Sequence, residues 1–261
     1  MEVELIPADP AHNYTVFVTT PVAPALRAGV AAALMKRQDP PAEQVAFITA
    51  FEPLPCMEMM GGEFCGNASR SFGMVAAARQ GLEQGSVTVN VSGCSHPLTV
   101  QVDRKAGSAR VQMPLHRSVE EIPVDGQAVP VVIFDGICRA ILCAPPDQAL
   151  CTRVLKQLEQ TLHPDAAGVI FLQSQPLFIT PVVSVCATGS TVWESSCGSG
   201  SLAAALWLAS QQPGEDFCRF AVGQPGGVLE VELEQKDGQV QRAWLGGPVQ
   251  LGGKRTVSVE L

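Results

Sequence analysis

Positive charge is scarce in this chain: 17 Lys and Arg stand against 25 Asp and Glu, a net charge of −8. No basic run occurs, which argues against a nucleic-acid partner and against docking on an anionic membrane surface. No apolar stretch approaches the roughly 20 residues of a membrane-spanning helix. The first residues, Met1-Glu2-Val3-Glu4-Leu5, lack the basic-then-apolar pattern of a secretory signal. These absences lead to the expectation of a cytoplasmic chain whose nine cysteines are reduced. No Cys-x-x-Cys pair is present and the four histidines are scattered, so no metal site is expected.

What is present is apolar and globular. Apolar residues make up 46% of the 261 and charged residues 16%, enough to bury a substantial core in two lobes. Two segments stand out: Gly61-Gly62-Glu63-Phe64-Cys65-Gly66-Asn67-Ala68-Ser69 and Trp193-Glu194-Ser195-Ser196-Cys197-Gly198-Ser199-Gly200-Ser201. Each places a cysteine at a glycine-bearing turn that opens an alanine-rich helix.

The likeness extends beyond the cysteines. Val87–Val91 and Leu98–Val102 alternate as strands after the first, as Phe220–Val222 and Leu229–Leu233 do after the second. Ala109–Pro114 and Arg242–Pro248 close the two halves. The offset stays at about 130 residues, too long for a solenoid repeat. The pattern predicts an α/β (α+β) protein of two pseudo-symmetric lobes, each a strand-rich sheet or barrel around a central helix. The N-terminal lobe is assigned to 1–116 and the C-terminal lobe to 117–248, with the boundary in the polar stretch His116–Asp125. The alternating tail within 249–261 is a strand that could return to the first lobe.

A thiol in the first turn of a helix faces the positive end of the helix dipole, which is expected to lower its pKa. The following backbone N–H groups can hold a carboxylate. Two such sites facing one carbon from opposite sides suit proton removal at one face and delivery at the other. The substrate is expected in the cleft between the lobes, where closure would exclude water. Cys65 and Cys197 are therefore the candidate catalytic pair. Cys56, Cys138, Cys143, Cys151, Cys186 and Cys218 are read as inert small hydrophobes. Packing is also the leading reading for Cys94.

Cys65-Gly66-Asn67-Ala68 and Cys197-Gly198-Ser199-Gly200 resemble the two active-site signatures of cofactor-independent amino-acid racemases of the diaminopimelate-epimerase fold. That resemblance implies a homodimer-forming isomerase that acts on a free amino acid and needs no pyridoxal phosphate, metal or other cofactor. True diaminopimelate epimerases carry an arginine directly after the glutamate that precedes the second cysteine. Here Glu194 runs directly into Ser195-Ser196-Cys197, so the partner for a distal carboxylate is missing. Glu43-Gln44-Val45, Val91-Ser92-Gly93-Cys94-Ser95, Trp193-Glu194 and Gln224-Pro225-Gly226-Gly227 are similar to the histidine racemases of staphylopine-type metallophore pathways.

The resemblance implies further substrate-binding residues. Asn13 matches an early asparagine that touches substrate, although it could equally be a turn asparagine before a strand. Glu43, with Gln44 beside it, could accept a hydrogen bond from an imidazole or an ammonium; the plain alternative is a solvated loop charge. Glu194 matches a glutamate near the substrate amine, or else pairs with a nearby arginine. Gly66, Asn67, Gly198 and Ser199 are expected at the carboxylate. Arg70 is read as a surface or lobe-contact residue, the histidines as structural, and Gln224–Gly227 as a strand-joining turn that borders the cleft. Rival readings are a diaminopimelate epimerase, a broad-specificity racemase, and a catalytically silent amino-acid-binding protein.

Overall fold

A computed structural model describes residues 1–37, 39–186, 189–211 and 214–260. Leu261, the end of the expected tail strand, lies outside the described residues. The chain divides into two compact units, Met1–Gln112 with Gly246–Leu261, and Met113–Leu245.

The first unit runs β1 (Glu2–Asp9), β2 (Thr15–Val18), α1 (Pro24–Met35), β3 (Gln44–Ala50), β4 (Cys56–Met59), α2 (Gly66–Arg79), β5 (Gln84–Val91), β6 (Leu98–Asp103) and β7 (Ser108–Met113). The second runs β8 (Ser118–Val124), β9 (Gln127–Ile133), β10 (Ile137–Leu142), α3 (Gln148–Leu162), β11 (Ala166–Ser174), β12 (Leu177–Val185), β13 (Ser190–Trp193), α4 (Gly198–Ser210), β14 (Phe217–Gln224), β15 (Gly227–Lys236) and β16 (Gln239–Pro248), whose residues from Gly246 on belong to the first unit. The tail returns to the first unit as β17 (Gln250–Leu251) and β18 (Arg255–Ser258), both antiparallel to β1.

The two units repeat one order of pairing. In the first, β2 and β3 are parallel across α1, β3 and β4 antiparallel, and β4 and β5 parallel across α2. In the second, β10 and β11 are parallel across α3, β11 and β12 antiparallel, and β12 and β14 parallel across α4. Parallel neighbours need a crossover, and each helix supplies one.

The helices divide by composition. α3 buries Cys151, Val154, Leu155 and Leu158, one apolar stripe on an otherwise polar helix. Asp147 caps it by accepting from Leu150 N–H at 2.5 Å. α2 and α4 are small or apolar on nearly every face and are buried almost throughout. α2 lies so close to β6 that a Cβ on Gly73 would fall 2.3 Å from Val100. A Cβ on Gly200 of α4 would fall 2.7 Å from Ile170 of β11.

The stretch His116–Asp125, read from sequence as a polar boundary, carries strand β8. It pairs with β9 from Ser118↔Ile133 to Val124↔Gln127. Ile122 and Val124 are buried while Pro123 between them is exposed, as are Val119, Glu120 and Glu121. Asp125 and Gly126 both have positive φ, 51° and 78°, as a two-residue hairpin turn requires. Glu120, Glu121 and Pro123 obscure this alternation in the sequence.

Candidate active site

Both cysteines sit at the N-cap of a central helix, in nearly the same geometry. Cys65 has φ −130° and ψ 114°; Cys197 has φ −130° and ψ 109°. Each sulfur accepts a backbone N–H from the first turn, Ala68 to Cys65 Sγ at 3.4 Å and Gly200 to Cys197 Sγ at 3.4 Å. A hydroxyl one turn on holds each cysteine carbonyl: Ser69 Oγ donates to Cys65 O at 2.7 Å and Ser201 Oγ to Cys197 O at 2.9 Å. These serines stood in both quoted segments without an assigned role.

The hairpin after each helix braces the loop before its cysteine. Ser92 Oγ, at the β5–β6 turn, donates to Glu63 O and accepts Met59 N–H, both at 2.8 Å. A Cβ on neighbouring Gly93 would meet Phe64 N at 2.2 Å, so the backbones touch there. In the second unit the buried Gln224 accepts Cys197 N–H at 2.6 Å and donates to Ser201 Oγ at 3.0 Å. Gly226 N–H donates to Ser195 O at 2.7 Å. The Gln224–Gly227 turn is thus a clamp on the cysteine loop as well as a strand connection.

A buried arginine backs each cysteine. Arg70 was expected at a surface or lobe contact; its relative exposure is 0%. The close packing of α2 turns this position inward. Its Nε donates to Asn67 Oδ1 at 3.1 Å and its Nη1 to Pro248 O at 2.7 Å. Burial lowers its pKa from 12.5 to about 10, opposed by the charges of Cys65 and Asp9. In the second unit Arg139, on β10, donates from Nη2 to Ser199 Oγ at 2.6 Å. Asn67 and Ser199 therefore hold corresponding places, each the residue that links its cysteine turn to a guanidinium.

The environment of Cys197 overturns the expectation of a lowered pKa at that position. Burial pushes the thiol up to about 12, because a buried thiolate would lose its solvation. Arg139 and the Gly200 N–H act in the opposite direction; the charge of Glu194 and its hydrogen bond to the thiol add to the rise. Cys197 is therefore a thiol at neutral pH in this structure. Cys65 is half-buried, so the two sulfurs are not in equal surroundings.

Glu194 lies between Trp193 and the cysteine loop. Trp193 stacks on Phe171 at 5.9 Å and donates to Gln148 Oε1 at 3.0 Å, and Glu194 N–H donates to Pro181 O at 3.0 Å. Glu194 Oε2 is buried with no hydrogen-bond partner among the described residues. Burial raises its pKa and Arg139 opposes the rise.

Asn13, Glu43 and Gln44 gather in the first unit. Asn13 is buried and its Nδ2 donates to Glu43 Oε2 at 3.3 Å. The backbone N–H groups of Glu43 and Gln44 both donate to Tyr14 O. Asn13 Oδ1 and Gln44 Oε1 are buried without partners among the described residues, so this corner is rich in acceptors.

The remaining cysteines divide. Cys138 and Cys151 are buried, with thiols pushed up to about 11 by that burial, as inert residues would be. Cys218 is buried as well, and Cys94 is half-buried after the Ser92-Gly93 turn; Cys143 and Cys186 are exposed and Cys56 half-buried, so core packing does not describe these three. Cys94 Sγ lies 3.1 Å from His96 Nδ1. Among the described residues no group of three His, Cys, Asp or Glu is arranged to hold a metal ion, and no helix is long and apolar enough to cross a membrane.

The family model described as the histidine racemase CntK N-terminal domain matches residues 2–257. A histidine racemase of Fusobacterium nucleatum subsp. nucleatum is 33% identical over 229 residues, covering 84% of this chain and 82% of that protein. One of Staphylococcus aureus is 26% identical over 245 residues, covering 88% of each. Among solved structures, a hydroxyproline epimerase from Agrobacterium vitis superposes with a TM-score of 0.65 at 10% identity, over 98% of this chain and 92% of that one. The protein is an isomerase of the amino-acid racemase class, built on the fold shared with such epimerases. Within that class the chain belongs to the histidine racemase family.

Proposed function

We propose that the chain interconverts L- and D-histidine, with Cys65 and Cys197 as a two-base acid–base pair. The observation that carries this is the matched pair of cysteine N-caps, one in each unit, equal in backbone angles and in the first-turn N–H that each sulfur accepts. One sulfur removes the α-proton while the other delivers a proton to the opposite face. Cys197, a thiol at neutral pH, is the proton donor in the first half of the cycle.

First-turn backbone N–H groups, which have no intrahelical acceptor, bind the α-carboxylate at Gly66-Asn67 and Gly198-Ser199. They also stabilise the charge that grows on it as the α-proton leaves. Glu194 receives the α-ammonium, the cation that its buried, unpartnered Oε2 calls for.

The acceptors at Asn13, Glu43 and Gln44 support an imidazole over a carboxylate side chain. An imidazole brings N–H donors to that corner, whereas a carboxylate would bring more negative charge to Glu43. No organic cofactor or metal enters this cycle. The working protein is proposed as a cytoplasmic homodimer that supplies D-histidine for metallophore synthesis.

The direct test is to incubate the protein with each of a panel of L-amino acids, including diaminopimelate, and to resolve the enantiomers by chiral chromatography. Conversion of histidine far above the rest supports the proposal. Conversion of diaminopimelate but not histidine refutes the substrate, and conversion of none refutes the activity.

A further inference from the structure

Arg139 occupies an unusual place for an arginine. It is a central residue of strand β10 with a relative exposure of 3%. Its register partner on β11 is Gly168. A Cβ there would fall 2.3 Å from Arg139 Nη1 and 2.9 Å from its Cδ, so any larger residue would displace the side chain. Strand interiors seldom keep glycine unless something must approach closely.

Its bonding is incomplete. Nη2 donates to Ser199 Oγ at 2.6 Å, while Nε and Nη1 are buried with no partner among the described residues. A purely structural buried arginine would be expected to satisfy its whole fork. The next link leads to the active cysteine, because Ser199 Oγ lies 3.7 Å from Cys197 Sγ. The charged and titratable groups that feel Arg139 are Glu194 and Cys197 on the loop before α4, and Cys138 beside it on β10.

We propose that Arg139 is a positioning residue for the second cysteine. It orients the Ser199 hydroxyl toward Cys197 Sγ and sets a fixed positive charge beside the sulfur and Glu194, so that a buried thiol can release and regain its proton. This rests on the acid–base role proposed for Cys197. Gly168 is the companion that makes room for the guanidinium. Arg70 reaches Asn67 in the same way in the first unit, but from within α2 and not from a strand.

The test measures the thiol apart from turnover. The rate of Cys197 alkylation by iodoacetamide is followed across pH by peptide mass spectrometry, in the full chain and in Arg139→Met, Arg139→Lys, Gly168→Ala and Ser199→Ala. Arg139→Met should slow the reaction about tenfold at every fixed pH below the inflection, the loss of thiolate that a further rise of about one unit would give. It should lower kcat with little change in KM. Arg139→Lys should restore part of the shift and Gly168→Ala should reproduce part of it. Should Arg139→Met not fold, Gly168→Ala and Ser199→Ala decide by the same readout.

A wild-type pH profile in the folded variants overturns the proposal for Arg139. Full racemisation by Cys197→Ser, with the alkylation shift in Arg139→Met intact, overturns the acid–base reading instead.

Discussion

The backbone N–H of Cys197 donates to Gln224 Oε1 at 2.6 Å, tying the turn of the second candidate acid–base cysteine to the β14–β15 hairpin. The N-cap residue of a helix has its own N–H outside the helical ladder. Here that group is buried, and the Gln224 side chain satisfies it while also donating to Ser201. Gln224→Ala is expected to cost about 1–3 kcal/mol of stability, the penalty for an unsatisfied buried donor. Racemisation should fall by more than the loss of folded protein explains. Urea unfolding and a chiral assay on the same samples separate the two; unchanged stability would show that the clamp is dispensable.

Cys65→Ser and Cys197→Ser should each lower racemisation by about 10²–10⁴-fold, the usual contribution of a positioned acid or base. A hydroxyl is a far weaker base than a thiolate, yet nearly the same size. Circular dichroism should show both variants folded. Normal turnover in either would contradict the assignment of that cysteine.

Glu194 makes a prediction about pH. Its carboxyl is raised above the ordinary 4.5, first by burial, with Arg139 acting against the rise. The folded state therefore holds this proton more tightly than the unfolded one. The stability that Glu194 contributes is complete below its unfolded value and is lost as pH rises through its folded value. Relative to Glu194→Gln, which cannot titrate, the wild type should lose stability as pH rises from below the ordinary carboxyl value of 4.5 through the higher folded value. Urea unfolding of both proteins across that range checks the sign, and a wild type that gains on the variant would contradict it. The same variant should be slow, because an amide cannot pair with an α-ammonium as a carboxylate does.

Gly200 tests the packing of the second helix against its sheet. A methyl there meets Ile170 Cδ1 at 2.7 Å and Cys197 Sγ at 3.2 Å. Gly200→Ala should destabilise the chain by about 1–3 kcal/mol through overpacking. Ile170→Val in the same chain should recover part of this by withdrawing the Cδ1 methyl. Thermal unfolding of the single and double variants measures the recovery, and its absence would place the strain elsewhere.

The duplicated cysteine turns were legible because a helix start is written locally: a capping side chain, glycine, then small residues. The division into two similar halves followed from the alternating strands at matching offsets; the parallel crossovers did not. β8 escaped because Val119, Glu120 and Glu121 are all exposed and burial alternates only from Ile122 on, although Asp125-Gly126 is a hairpin signal. Arg70 and Arg139 escaped for a different reason. Nothing beside them in the chain marks a charge as buried; that depends on α2 being surrounded and on Gly168 lying across from Arg139. The raised pKa of Cys197 is likewise a tertiary effect, in which burial outweighs Arg139 and the Gly200 N–H. Asn13 and Glu43 were singled out through family resemblance alone; the structure joins them by a hydrogen bond between segments distant in sequence.

The central claim is that two different sulfurs handle the α-hydrogen, one on each face. The most direct measurement supplies unlabelled L-histidine to the protein in heavy water and samples both enantiomers by mass at early times. A two-base cycle puts solvent deuterium on the α-carbon of the D-product while the recovered L-substrate remains protiated. Deuterium entering both enantiomers equally from the first samples, or entering neither, would contradict the account.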